Sequence, residues 1–365
     1  MQDKLEQKIL WRRIFEEIRA KIQRGEFDSS QKLPSEAGLM RQYGVSRYTA
    51  GRVMMELKHE LLIERRKGSG SYLTPTARNA TGRIGVLMPG FTDVEIMKPI
   101  AEGVRESASS LGYEVLFETI DSIDSNVRAA KGRECAMRFV AKKVAGVILE
   151  PLELIHNSFI LTREIIDILR SHGIHVTLID RDAAKPPDRS DVDLVGLNNY
   201  RCGQRIAEHI LSAGAKRILF LMLPTSAPTI HERAAGVVAT AAIAGVEAFV
   251  KAEYPEDIEA MRALLKGKKA PDAVICGNDV TAVNLLKTLS KLGLKVPKDV
   301  LLAGFDDVKA AAAAHPPLTS MRQPCKVIGN VAVRLLVMRM HYPDEIPREV
   351  CCDATLVVRA STRRK

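Results

Sequence analysis

Near the start of the chain, apolar residues repeat at helical spacing. Trp11, Ile14, Phe15, Ile18 and Ile22 fall on one face, and the period stops near Gly25. In LPSEAGLMRQYG, Ser35 is placed to cap a second helix that ends at Gly44. Glu36 then sits in its first turn, where a carboxylate meets the positive end of the helix. Ser46 can start a third helix, with Ala50, Val53, Met54, Leu57 and Leu61 as its apolar stripe. Tyr48, Arg52, Met55 and His59 take the other face, and Arg47 takes the exposed N-terminal end. Ile63 to Leu73 then reads as a hairpin around Lys67-Gly68-Ser69-Gly70, with Arg65 and Arg66 beside the tip. Two short helices joined by a tight turn place the N-terminal residues of the second in a DNA major groove. A hairpin tip with little side-chain bulk can bring its backbone up to a phosphate or a minor groove.

TPTARNATGR, broken by Pro75 and Gly82, is a polar connector. Beyond it the pattern changes to short apolar runs: IGVLM, YEVLF, AGVILE, HVTLID, RILFLM, DAVICG and DVLLAGF. They alternate with helical stretches, among them 96–111, 162–172, 202–213 and 280–292. Strands each followed by a helix imply parallel sheets of βαβ units. Seven such strands predict two doubly wound lobes rather than one sheet. The expected organisation is therefore an α/β chain with a head at 1–73, a linker at 74–83 and a two-lobed body at 84–365.

In doubly wound sheets, ligands bind at the carboxyl ends of the strands. Here those ends are polar. AGVILE ends at Glu150, HVTLID runs into Asp180-Arg181, DAVICG into Asn278-Asp279 and DVLLAGF into Asp306-Asp307. Arg233 lies near a helix start. A carboxylate accepts from two adjacent hydroxyls, an arginine donates in a fixed fork and an amide does both, which suits a polyol.

Composition adds three constraints. The net charge is +10, and residues 1–83 hold 17 Lys or Arg against 10 Asp or Glu, so most of the excess sits on the head and linker together, as polyanion binding requires. The six cysteines show no CxxC spacing and no partner histidines, so they read as reduced, buried thiols of a cytosolic protein with no metal and no cofactor. The start, MQDKLEQKILWRR, lacks a signal peptide's apolar core, and no run approaches the ~18 apolar residues of a membrane helix, so a cytoplasmic protein without a membrane partner is expected. Catalysis is not expected. His231 and His315 have no Ser or Cys partner in motif context, no GxGxxG follows IGVLMPG, and RRKGSGS fails the phosphate-loop pattern.

LPSE, YGVSRYTA and ERRKGSGSYL together resemble the winged helix-turn-helix of the GntR family over nearly all of residues 5–73. The resemblance implies DNA contacts from Ser46, Arg47, Thr49, Lys67 and Gly68. Tyr48, Arg52 and Arg66 are candidates beside them. Gly51 stands where the family commonly has a basic residue, and Leu61 or Leu62 where a glycine usually precedes the wing. IGVLMPG, AGVILEP, LIDRD, GLNNYRCG, ERAAG, PDAVICGND, VPKDVLLAGFDD and PPLTSMRQP look like the LacI/GalR effector domain, itself similar to periplasmic sugar-binding proteins. That resemblance runs from residue 83 to about 360. It implies two lobes of the type I periplasmic-binding-protein kind, joined by crossing strands around a small sugar or nucleobase. The sugar-contacting positions fall on Glu150, Asp180, Arg181, Arg233, Asn278, Asp306 and Gln323. The family's aromatic pair after the first strand is missing, so either Phe91 substitutes or the ligand differs.

The expected protein is a ligand-responsive transcriptional regulator. As a homodimer it would bind double-stranded operator DNA, repress carbohydrate-use genes and be released by a small-molecule effector, a monosaccharide. A nucleobase-like effector and an activating role are the open alternatives. A transport-type solute receptor would fit the body alone, and the basic head argues against it.

Overall fold

Side-chain caps begin two helices of the head. In the computed structural model, which describes residues 2–23, 26–27, 33–60, 62–66, 68–74, 82–89, 95–120, 122, 124–153 and 158–363, α1 (Gln2–Gln23) is followed by α2 (Glu36–Tyr43) and α3 (Arg47–His59). Ser35 Oγ accepts from Gly38 N at 3.1 Å and Ser46 Oγ from Thr49 N at 3.2 Å, satisfying amides that a helix start leaves without partners. Gly44 turns the chain between α2 and α3 in the left-handed region, φ +62°. The expected stripes meet. Ile14, Phe15, Ile18 and Ile22 of α1 are buried with Leu39, Ala50, Val53, Met54 and Leu57. The wing strands β1 (Ile63–Arg66) and β2 (Gly70–Leu73) close this core with Ile63 and Leu73, which pair with each other. Gly25 and Leu61 lie outside the described residues.

The body alternates strand and helix as its apolar runs require. The first lobe contains β3 (Arg83–Leu87), α4 (Met97–Ser110), β4 (Glu114–Glu118), α5 (Ser125–Ala141), β5 (Gly146–Leu149), α6 (Ser158–Ser171), β6 (His175–Asp180) and β7 (Asp193–Leu197). The second lobe runs from α7 (Asn199–Ser212) through β8 (Arg217–Met222), α8 (Pro228–Ile243), β9 (Glu247–Ala252), α9 (Ile258–Leu265) and β10 (Ala273–Cys276). It continues with α10 (Asp279–Lys291), β11 (Leu301–Asp306), α11 (Lys309–Ala313) and β12 (Thr319–Arg322). The chain then returns through α12 (Cys325–His341) to β13 (Glu349–Cys352) in the first sheet, and crosses again to β14 (Thr355–Val357) in the second. The first sheet has the order β13-β7-β6-β5-β3-β4 and is all parallel. The second is β14-β12-β11-β10-β8-β9, parallel except for β14. Three crossings, 197–199, 322–325 and 352–355, therefore join the lobes.

All seven strands read from apolar runs are present. Five more, β7, β9, β12, β13 and β14, were not among them. β9, β13 and β14 are edge strands with no fully buried residue, and β12 (TSMR) is largely polar, so none presents an apolar run. β7 is buried throughout, but its five residues include Asp193 and Gly196. The edge position also corrects the reading of six buried thiols. Cys135, Cys202, Cys276 and Cys325 are buried, whereas Cys351 on β13 is exposed and Cys352 half-buried.

One helix pair in each lobe crosses backbone to backbone. A Cβ at Gly103 of α4 would fall on the Lys326 carbonyl of α12, and one at Gly329 on that of Ile100. The same holds for Gly203 of α7 against Arg233 of α8, and for Gly236 against Tyr200. The head meets the first lobe at the far ends of α4 and α12. Arg19 of α1 donates to the Ser110 carbonyl, and Thr74 Oγ1 lies 3.1 Å from His341 Nε2.

Candidate functional site

The buried strands deliver their polar ends to the space between the lobes. Asp180 ends β6 with φ +70° and Asp306 ends β11 with φ +102°. Non-glycine residues adopt this region rarely and at a cost of about 1–3 kcal/mol, and both lobes hold an aspartate this way at the carboxyl end of a central strand.

On the first lobe, Arg181 is 8% exposed and surrounded by carboxylates. Its Nη1 is 2.6 Å from Asp180 Oδ2 and 3.1 Å from Glu153 Oε2. Its Nη2 donates to Glu150 Oε1 at 3.1 Å and to the Pro151 carbonyl at 3.0 Å. Burial disfavours the cation, but Asp180, Glu153 and Glu150 outweigh it and hold the guanidinium charged well beyond the ordinary arginine range. On the second lobe, Arg233 donates from Nε to Asn199 Oδ1 at 2.9 Å and from Nη1 to the Gly277 carbonyl at 2.8 Å, with Asp306 Oδ1 at 3.5 Å. The guanidinium lies 4.7 Å over the Phe305 ring. Gln323, in the second crossing, donates from Nε2 to Asp306 Oδ1 at 2.7 Å. Burial pushes the Asp306 carboxyl up, and Arg233 opposes it.

Glu150, Asp180, Arg181, Arg233, Asp306 and Gln323 thus sit in one region, split between the networks of Arg181 and Arg233. Asn278 lies at the same end of the second sheet, with its Oδ1 engaged in capping α10 through Thr281 N at 2.9 Å. Phe91 lies outside the described residues. A cavity of about 220 Å³ is lined by Asp180, Arg181 and Gly196 from one lobe and by Asn199, Thr229 and Glu232 from the other. A second, of about 350 Å³, includes Glu95, Pro99, Asp306, Gln323 and Lys326. Sequence reasoning did not single out Asn199, Glu153 or Glu232. The motifs GLNNYRCG, AGVILEP and ERAAG pointed to their neighbourhoods but not to their contacts.

Asp279 lies behind Asp306 and is fully buried. Ser320 Oγ donates to it at 2.8 Å and Val308 N at 3.1 Å, yet burial and then the Asp306 charge push it up to about 8. Its unfolded value is about 3.9, so between about pH 4 and 8 the folded state holds the extra proton and stability falls as pH rises. Asp279→Asn is expected to gain on the wild type as pH rises from about 5 to 8. Urea unfolding at both pH values checks this, and parallel curves for the two proteins would refute it.

In the head, Arg47 is exposed and Tyr48 is 73% exposed at the start of α3. Thr49 differs: it is 2% exposed, with its hydroxyl 3.0 Å from Ser46 Oγ, where it braces the helix start. Arg52 lies back over Trp11 at 5.2 Å and pairs with Glu56 at 3.2 Å. Arg66 pairs with Glu64 at 2.6 Å and covers Tyr72 at 4.7 Å. Gly68, exposed with φ +74°, turns the wing, and Lys67 lies outside the described residues.

A winged helix-turn-helix on a two-lobed body with a polar interlobe cleft defines a DNA-binding, ligand-responsive transcriptional regulator. Comparison with known proteins agrees. Residues 10–73 match the family described as bacterial regulatory proteins, gntR family, and residues 207–362 match the periplasmic binding protein-like domain. The chain therefore carries a GntR-type head on a LacI-like effector domain. It is 24% identical to the arabinose metabolism transcriptional repressor of Geobacillus stearothermophilus, over 95% of this chain and 96% of that protein. It is 28% identical to the ribose operon repressor of Escherichia coli K12, over 73% of this chain and 77% of that one. The solved complex of the transcriptional regulator CelR with cellobiose superposes with a TM-score of 0.65 at 23% identity, covering 87% of this chain and 91% of that one, which bears on the fold. These relatives are regulators rather than enzymes. No described helix is long and apolar enough to cross a membrane.

Proposed function

We propose that this protein is a cytoplasmic repressor of carbohydrate-use genes, released from its operator by a small sugar. The observation that carries the reading is the match with an arabinose metabolism transcriptional repressor over nearly the full length of both chains. The division is a head at 1–73, a linker at 74–83 and an effector body at 84–365. Two heads of a homodimer read the half-sites of a roughly two-fold operator. Arg47, Tyr48 and Gly68 approach the DNA, Ser46 and Thr49 hold the recognition helix, and Arg52, Arg66 and Lys67 supply positive charge nearby. In the cleft, Glu150, Asp180 and Asp306 accept from ligand hydroxyls, Arg181, Arg233 and Gln323 orient these carboxylates, and Asn278 adds a polar group; Phe91 remains a candidate from the sequence alone. Ligand draws the lobes together about the three crossings and shifts the dimer to a geometry that misplaces the heads. A coupling of ~1–3 kcal/mol changes operator affinity about 5- to 150-fold.

The test is fluorescence anisotropy on DNA fragments selected by the protein, with and without neutral pentoses, hexoses, disaccharides and nucleobases. One sugar should release the DNA. Unchanged affinity across the sugars overturns the reading, and release by a nucleobase alone replaces the ligand class. Arg47→Ala should weaken operator binding by ~1–3 kcal/mol, about 5- to 150-fold, in the same assay. A variant that binds like the wild type removes Arg47 from the interface.

A further inference from the structure

Arg181 is an arginine in a ligand cleft with little charge left to offer. A free guanidinium there would bind a phosphate or carboxylate in its planar fork. Here both terminal nitrogens are taken: Nη1 by Asp180 and Glu153, at 2.6 and 3.1 Å, and Nη2 by Glu150 and the Pro151 carbonyl, at 3.1 and 3.0 Å. Three carboxylates around one cation leave the group net negative. It lies where water screens little, since the side chains of Arg181 and Glu150 are 8% and 2% exposed. Arg233, the cation of the other lobe, is engaged through Nε by Asn199 and through Nη1 by Gly277 and Asp306. Glu232 faces the same cavity as Arg181. Burial, and then the neighbouring charges of Glu349 and Asp180, raise its pKa, the response of a carboxyl in an already negative environment. Arg189, also on that lining, is held at 3.4 Å by Asp182 and 3.3 Å by Glu349, so a ligand entering this cleft meets more carboxylates than cations.

We infer that the carboxylates clamped on Arg181, Glu153 above all, form a charge filter that reserves the cleft for uncharged, hydroxyl-rich ligands and excludes phosphorylated and acidic sugars. This rests on the effector reading of the cleft given above. A neutral polyol donates one hydrogen bond per hydroxyl to these acceptors. A phosphate ester brings acceptors and negative charge into the same space, and reaches Arg181 only by displacing carboxylates from it. Glu153 is the adjustable member, with a side chain 28% exposed and a single bond in the cluster.

The experiment is calorimetric titration of the full chain with neutral pentoses, hexoses and cellobiose, and with the phosphate esters and uronic acids of the same sugars. At least one neutral sugar should bind the wild type, with its phosphate ester weaker by about tenfold or more. Glu153→Gln should raise the ester-to-neutral affinity ratio, and Glu150→Gln with Glu153→Gln should raise it further. This gain cannot come from misfolding. Equal affinities for a sugar and its ester in the wild type overturn the filter and leave the effector reading intact. An unchanged ratio in both variants removes the filter from these residues. If no neutral sugar binds, the effector reading falls and the filter with it.

Discussion

A Gly203→Val chain should be less stable than the wild type by about 3 kcal/mol or more, because the added carbons have only backbone to displace. Gly203 of α7 lies where any Cβ would overlap the Arg233 carbonyl of α8. A side chain in the way could change rotamer, whereas a helix carbonyl moves only with its helix. The two helices must separate, which loosens Ile206, Ala207, Val237 and Ala241 in the shared core. The residue pushed is the one whose guanidinium reaches Asn199 and Gly277, so effector response should fall with stability. Urea unfolding of the full chain measures the first effect. Gly51→Ala is the control. Its position in α3 has no neighbour within 4 Å, and it should gain about 0.4–1 kcal/mol. Wild-type stability in Gly203→Val would show that the crossing is not tight.

Arg233→Ala should lower affinity for the sugar that releases the DNA about 100-fold or more, a loss of ~3 kcal/mol consistent with removing charged hydrogen bonds from a buried site. It would strip Asp306 of the cation that opposes its upward shift, leaving a buried carboxyl beside Asp279. Asp306 would then hold its proton to higher pH in the folded state, so the variant should lose stability as pH rises, more steeply than the wild type. Arg233→Lys should recover little. One ammonium cannot reproduce a planar fork that reaches Asn199 in one direction and Gly277 and Asp306 in another. Titration calorimetry distinguishes these outcomes. Near-wild-type affinity in the lysine variant would mean that charge alone, not fork geometry, is what the cleft needs.

Much of this architecture is legible in the sequence because local and global demands coincide there. Ser35 and Ser46 are caps by their position before apolar stripes, and the structure uses both as caps. The buried central strands announce themselves as unbroken apolar runs, and Glu150, Asp180 and Asp306 stand out because each ends one. Other features depend on where distant segments meet. The edge strands β9, β13 and β14 bury too little to show a pattern. Arg181 gave no sign that Glu150 and Glu153, some thirty residues earlier, would enclose it, nor Arg233 that Asn199 would take its Nε. Asp279 read as one of two polar residues after a strand. Its full burial comes from Ser320 and Val308 closing over it.

The pairing of α4 with α12 has a mechanical consequence. Their first turns, at Pro99, Cys325 and Lys326, line a cleft cavity, and their last residues touch the head and its linker through Ser110 and His341. Gly103 and Gly329 bring the two backbones together, and Lys326 ties them at 3.2 Å to Glu102 and 2.9 Å to Glu106, so they move as one body. With its 14 residues, α4 is about 21 Å long. A tilt of about 5° at the cleft end sweeps the far end through about 2 Å, enough to break a hydrogen bond. On the effector reading proposed above, the pair would act as a lever: a small rotation at the cleft end would become a lost contact at the foot of the head.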